Sequence, residues 1–387
     1  MTRRQDRAAH RGVTPIRIVG AGPAGLACAI ALARAGHNVV VREQHNRVGA
    51  RFHGDYQGLE SWSSDEDVLE ELRGYGIESS FDCHAVRHGV AFDAWGGRYD
   101  VRDDDPLFYL VRRGSDEGTL DSGLLQQART LGVEVRFGDH VRSAEGMTVL
   151  AGGPRVADAI AVGFVFDTDM RNGTWICFDN NLAPLGYAYL LVHGGRGTVA
   201  SCMFTGFKRE AEYVARTVAT FRERAGLSMR NERKFGGYAN FRLPRTALQG
   251  SRPVVGEQAG FQDALAGFGM RYALRSGVLA ARSIIEGVDY GTLWRHQLLP
   301  LLKTAVSNRL LFNGIGEYGR RWVMAHQLRG THARAALRQI YGERSLTHLL
   351  FPLARWRYRA PLKDNSCDHR ECSCVWCQGA ADKHTAR

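Results

Sequence analysis

Apolar residues recur in two rhythms along this chain. A short apolar run, Ile16 to Val19, precedes a helix-like segment from Leu26 to Ala35 and a second apolar run, Val39 to Val41. That order predicts a β-α-β unit from about Pro15 to Glu43. Residues 61–76 open with Ser and Asp capping candidates and continue as an amphipathic helix closed by Gly74 or Gly76. Segments near 85–101 and 107–113 alternate apolar and polar positions as strands do. Thr119 to Thr130 reads as a helix and Val133 to Phe137 as the strand after it. Residues 159–207 are strand-rich, with turn signals at Gly173, Gly186 and Gly194-Gly195, and Glu210 to Ala225 reads as a helix. At 254–287 a short strand enters a glycine-broken loop, which a long helix leaves from about Met270. The remainder to about Leu353 reads as helical.

The turn inside the first unit is Gly20-Ala21-Gly22-Pro23-Ala24-Gly25, and its spacing points to a dinucleotide. Gly20 allows the tight strand-to-helix turn, Gly22 lets the backbone approach a pyrophosphate, and Gly25 lets the helix pack on the strand. The pyrophosphate then sits on the unpaired amides and positive dipole end of the new helix. Glu43, 23 residues after Gly20, is placed to accept hydrogen bonds from a ribose hydroxyl pair.

Composition is that of a globular protein: 387 residues, 44% hydrophobic and 24% charged, enough for two or three domains. The formal net charge of +11 is uneven, with thirteen Lys/Arg against two acids between Arg295 and Lys363. Residues 1–13 are basic and read as disordered, without the apolar core of an export signal. No apolar run is long enough to span a membrane. The basic region reads either as helices with solvated arginines or, through Arg355, Trp356, Arg357, Tyr358 and Arg359, as contact with an anionic membrane or an acidic electron-donor protein. No nucleic-acid module accompanies it.

Of eight cysteines, four are scattered and four cluster as Cys367-x4-Cys372-x-Cys374-x2-Cys377. The scattered ones form no disulfide framework, so a reducing cytoplasm fits, with membrane association if the basic region contacts lipid. The clustered thiols suit a tetrahedral zinc clip, with an iron–sulfur centre as second choice and an unliganded tail as third.

Together the two glycine regions resemble the flavoprotein class of p-hydroxybenzoate hydroxylase and the geranylgeranyl reductases. Gly256-Glu257-Gln258-Ala259-Gly260 stands where that class has a second motif touching the ribityl chain, with Glu257 in place of the usual Asp. Gly267-Phe268-Gly269-Met270 then opens a helix whose amides, in the class, face the pyrimidine edge of the flavin. Arg112-Arg113 before the 119–130 helix resembles the class's Arg-then-helix element near FAD, and Arg51 is a candidate for a phosphate or the adenine ribose. His53 to Ser63 and Ala183 to Val199 resemble the reductase branch. The mid-chain Asp-Gly motif of the hydroxylases is missing, since Ala159 to Phe164 reads Ala-Ile-Ala-Val-Gly-Phe.

The resemblance implies an α/β fold: a Rossmann-like FAD domain of the glutathione reductase type, assembled from 14–82, 108–160 and 236–290. A mixed-sheet substrate domain from 83–107 and 161–235 is inserted in it. A basic helical region, 291–363, and the cysteine-rich tail, 364–387, follow. The implied activity is reduction of a C=C bond in an apolar, isoprenoid-like or polycyclic substrate by hydride from flavin N5. NAD(P)H or a reduced carrier protein is the donor. The alternatives are a monooxygenase acting on an aromatic ring and a non-catalytic flavin-binding scaffold.

A tyrosine or an ordered water supplies the proton, and the pocket must hold that donor on the far side of the substrate. Tyr187 and Tyr189 share one face of a strand, and His53 and Asp55 lie in the loop passing the flavin. Each also has a bland reading, as packed aromatics or a solvated loop pair. Phe261, Phe268 and Trp62 are candidates for an aromatic wall beside the ring, and Cys83 and Cys202 read as buried thiols.

Overall fold

The computed structural model describes residues 14–143, 146–154, 157–241, 243–328, 330, 332–342 and 345–358. The basic N-terminus 1–13 and the metal candidates Cys367, Cys372, Cys374 and Cys377 lie outside them. Among the described residues no group of three His, Cys, Asp or Glu is arranged to hold a metal, and no helix is long and apolar enough to cross a membrane.

The chain begins β1 (Ile16–Val19), α1 (Pro23–Arg34), β2 (Val39–Arg42), β3 (Tyr56–Glu60) and α2 (Val68–Gly74). It continues β4 (Cys83–Val86), β5 (His88–Asp93), β6 (Arg98–Arg102), β7 (Phe108–Arg112), α3 (Leu120–Thr130), β8 (Glu134–Arg136) and β9 (Thr148–Leu150). Next come β10 (Ala159–Asp167), β11 (Gly173–Phe178), β12 (Tyr187–His193), β13 (Arg196–Met203), α4 (Glu210–Ala225) and β14 (Arg230–Ala239). A short hairpin, β15 (Leu248–Gln249) and β16 (Arg252–Pro253), precedes α5 (Met270–Glu286), α6 (Tyr290–Gln297), α7 (Leu299–Val323), α8 (Ala333–Tyr341) and α9 (Ser345–Arg357).

A four-stranded parallel sheet, ordered β8-β2-β1-β9, carries the first unit. Its parallel pairing requires a crossover, which α1 supplies. Helix α1 is nearly all small and apolar, with Ala24 to Ile30 and Leu32 buried, so α5 can approach it closely. A Cβ on Gly277 of α5 would collide with the Ala24 carbonyl. Here Gly serves close packing of two helices, not a turn. The helix starts at Pro23 rather than Leu26, because proline's fixed φ and missing N–H suit the first turn.

The larger sheet has seven strands, β14-β10-β13-β12-β11-β5-β6, antiparallel except for the β11–β5 pair. Helix α4 covers one face: its Val218 and Phe221 pack with Phe92, Leu190, Val192 and Val199. A third sheet, β3-β7-β4, is antiparallel.

Helix α2 is shorter than the predicted 61–76. The Glu60 carboxylate accepts the amides of Trp62 and Ser63 and holds that stretch in a turn, so the cap falls at Asp67, which accepts the Leu69 amide. The strand expected near 254 is reduced to a single parallel bridge from Val254 to Leu150. The C-terminal region is helical but broken, by Gly316 at φ 60° inside α7 and by a π turn at Met324–Leu328.

Candidate functional site

One cavity of about 1830 Å³ is lined by the strand ends of the parallel sheet, the open face of the seven-stranded sheet and the C-terminal helices. It exceeds the roughly 300–1,000 Å³ of ordinary small-ligand pockets, leaving room for a dinucleotide and a second molecule.

At one end sits the first glycine turn. Gly20 has φ +109° and its amide donates to the Arg42 carbonyl at 2.8 Å; a Cβ there would strike the Ala151 carbonyl. Gly22 is the N-cap of α1 and supplies no capping side chain, so the first-turn amides have no partner from the helix. Glu43 lines the cavity beside this turn. Its Oε2 accepts the Ala21 amide at 2.8 Å and its Oε1 the His45 amide at 2.9 Å.

The second glycine region meets the first. Gly256, at φ +62°, faces the Cβ of Ala24, and its amide donates to Ser276 Oγ on α5 at 2.9 Å. Helix α5 opens at Gly269, again with no capping side chain, and Gly267 through Met270 line the same cavity. A Cβ added at Gly22 or Gly267 would meet nothing within 4 Å. Gly22, at an ordinary φ of −77°, therefore keeps a space open, whereas Gly267 also serves a left-handed turn at φ +82°.

Arg51 and Glu257 form a 2.6 Å ion pair between the loop after β2 and the second turn. Burial opposes the Arg51 charge, but Glu257 outweighs it and raises the arginine's pKa. Arg113 and not Arg112 lines the cavity: it is held bidentately by Asp121 at 2.8 and 2.9 Å and lies 3.9 Å over the Phe52 ring. Arg112 is turned to Asp82 and the Glu117 carbonyl.

At the other end, β12 alternates as a strand must. Ala188, Leu190 and Val192 pack into the core, while Tyr187, Tyr189 and Leu191 line the cavity. Tyr187 donates to the Ala266 carbonyl, whereas the Tyr189 hydroxyl has no hydrogen-bond partner among the described residues. Burial raises both phenols well above their usual range, so they stay protonated. His53 is exposed at the cavity rim, and its amide donates to the buried Asp55, whose pKa burial raises.

Trp62 and Phe268 line the cavity and meet edge to face at 4.9 Å, but Phe261 does not join them. It is fully buried against Trp294, because the left-handed Gly260 turns the chain back under α6. Cys202 reaches the cavity, its thiol pushed up to about 11 by burial; Cys83 lies outside it.

Sequence reasoning missed two arginines. Arg309 and Arg320 belong to the stretch expected to carry solvated cations, yet both are buried. Arg309 lies 3.3 Å over Phe204 and donates to the carbonyls of Leu265 and Leu185. Arg320 lines the cavity and shares a helix face with Val323 and Met324, three and four residues on. An arginine inside an apolar stripe was the available signal.

Residues 18–57 match the family model of an NAD(P)-binding Rossmann-like domain. A provisionally assigned glutamate synthase (NADPH) small chain of Cereibacter sphaeroides is 30% identical over 157 residues, 38% of this chain and 37% of the relative, so the match spans little more than a third of its length. A geranylgeranyl bacteriochlorophyll reductase-like protein of Thermoplasma acidophilum is similar in structure, with a TM-score of 0.67, 14% identity and coverage of 89% of this chain and 98% of that one. The flavin-dependent brominase Bmp2 gives a TM-score of 0.61 at 14% identity, over 89% and 98% of the two chains. The chain therefore has the α/β fold of these two proteins, and its first β-α-β unit is similar to an NAD(P)-binding Rossmann-like domain.

Proposed function

We propose that this chain is an FAD-dependent oxidoreductase that reduces a carbon–carbon double bond in an apolar, isoprenoid-like or polycyclic molecule. One observation carries the reading: two uncapped helix N-termini, α1 at Gly22 and α5 at Gly269, open on the same cavity. A flavin dinucleotide is negative at two separated places, the pyrophosphate and, when reduced, the pyrimidine edge. Unpaired amides at a positive helix end suit each.

In this reading Gly20 to Gly25 hold the pyrophosphate and Glu43 the adenine ribose. Arg51 and Glu257 hold the middle of the nucleotide, Arg113 backs the Arg51 loop through Phe52, and Gly267 to Met270 hold the ring. Bound FAD supplies the electrons. The chain supplies a dry pocket, walled by Trp62, Phe268, Ile176 and Phe178, and a proton. Tyr189 is the better donor, because its hydroxyl is free to point at a substrate while that of Tyr187 is committed to Ala266. NAD(P)H or a reduced carrier protein is the electron source. On α9, Leu349, Leu353 and Trp356 are exposed beside Arg355 and Arg357, a surface suited to peripheral contact with anionic lipid.

The test uses FAD-loaded chain with dithionite as reductant and geranylgeraniol as an isoprenoid probe, read by mass spectrometry under nitrogen. Gain of two hydrogens without oxygen supports the proposal. Turnover that requires oxygen and adds an oxygen atom or a halogen to an aromatic probe overturns it in favour of a monooxygenase or of a halogenase such as the brominase Bmp2.

A further inference from the structure

The substrate end of the cavity contains a buried cation that makes no ion pair among the described residues. Arg320 is only 5% exposed and its Nε donates to the Gly316 carbonyl, one turn back on its own helix, at 3.1 Å. Neither of its Nη atoms has a hydrogen-bond acceptor among the described residues. The guanidinium lies 4.7 Å over the Phe312 ring, and no carboxylate among the described residues reaches salt-bridge distance. The acids that act on it, Glu317 and Asp179, are turned to the backbone amides of Asn180 and Asn181.

A buried lysine relieves such a position by losing its proton. Arginine does not, so its charge persists and the missing partner remains costly. Burial lowers the Arg320 pKa, but the group stays charged at any ordinary pH. Phe178, Phe312, Ile315, Val323 and Met324 line the same cavity, with the Phe312 ring directly under the guanidinium.

We propose that Arg320 is an anion subsite, and that the substrate is an apolar molecule bearing one oxyanion, in its simplest form a carboxylate. The inference rests on reading this end of the cavity as the substrate pocket. The carboxylate would complete the guanidinium's hydrogen bonds while the rest of the molecule packs along the tyrosine face of β12. A charge-assisted hydrogen bond made in a desolvated pocket corresponds to a preference of about tenfold or more over a neutral analogue.

The experiment titrates FAD-loaded full chain by calorimetry with 2-naphthoate and with its uncharged methyl ester. Wild type is expected to bind the carboxylate at least about tenfold more tightly. Arg320→Met should equalise the two, and Arg320→Lys should keep a preference. Equal binding by wild type, or a preference that survives in Arg320→Met, overturns the subsite. Should Arg320→Met fail to fold, the wild-type comparison and Arg320→Lys still decide. A chain that takes up no flavin yet keeps the carboxylate preference sinks the flavin reading and leaves the subsite standing. A flavin-loaded chain without the preference does the reverse.

Discussion

Arg51 and Glu257 are 206 residues apart in sequence and 2.6 Å apart in space, joining the loop after the first β-α-β unit to the second glycine turn. Both side chains are partly buried at the wall of the cavity. Their pairing fixes the distance between the two regions that would grip the ends of one nucleotide. Either Arg51→Met or Glu257→Gln should weaken FAD affinity about tenfold, and the double variant should lose less than the two losses combined, as contacting partners do. Fluorescence titration of flavin-free protein measures all three. Strict additivity would show that the pair does not act as a unit.

The glycines make opposite predictions. Gly22 has an ordinary φ of −77° and open space where a Cβ would go, so Gly22→Val should leave the flavin-free fold intact. Its side chain should occupy the pyrophosphate space and cut flavin content to below about a tenth of wild type, because the helix amides no longer reach the phosphates. Gly20→Ala should instead lower the melting temperature, since it combines a left-handed φ with a collision against Ala151. Absorbance and thermal unfolding of both variants separate binding from folding.

Tyr189→Phe should leave flavin content unchanged and slow turnover on the order of 100-fold, the usual worth of a positioned general acid. Tyr187→Phe should cost less turnover and loosen the loop at Ala266 that its hydroxyl holds. Stopped-flow oxidation of the reduced protein by substrate reads the first effect. Equal rates for wild type and Tyr189→Phe would remove the tyrosine from the chemistry.

Asp263 gives a pH prediction. Burial raises its carboxyl to about 6, although the Leu265 and Ala266 amides and Arg309 pull the other way. Between about pH 4 and 6 the folded chain holds a proton that the unfolded chain has released, so this group's contribution is most favourable at the acid end and is lost as pH rises through 6. Relative to wild type, Asp263→Asn should therefore gain stability over that window, by up to on the order of 3 kcal/mol. Denaturant midpoints at several pH values check it, and a difference flat with pH would contradict it.

Local pattern made much of the fold readable. Helix α4 shows acids in its first turn, arginines in its last and Tyr213, Val214, Thr217, Val218 and Phe221 on one face, so its bounds follow from sequence. The turn at Gly20 and the opening of α5 at Met270 are similarly self-contained. What spacing could not give was contact between distant segments. Nothing near Arg51 announces Glu257, and nothing in the glycine-rich loop announces that Phe261 turns away to Trp294 while Phe268 stays at the cavity. Arg320 was hidden for a related reason: a local excess of positive charge reads as solvated until the helix that carries it is packed.

The most direct measurement is the absorbance spectrum of the full chain after incubation with FAD and removal of unbound nucleotide. If the two glycine regions together grip one flavin, the wild-type chain retains one FAD per chain, and Gly22→Val retains almost none while remaining folded. A folded wild-type chain that emerges colourless, or a Gly22→Val chain as fully loaded as wild type, would contradict the account.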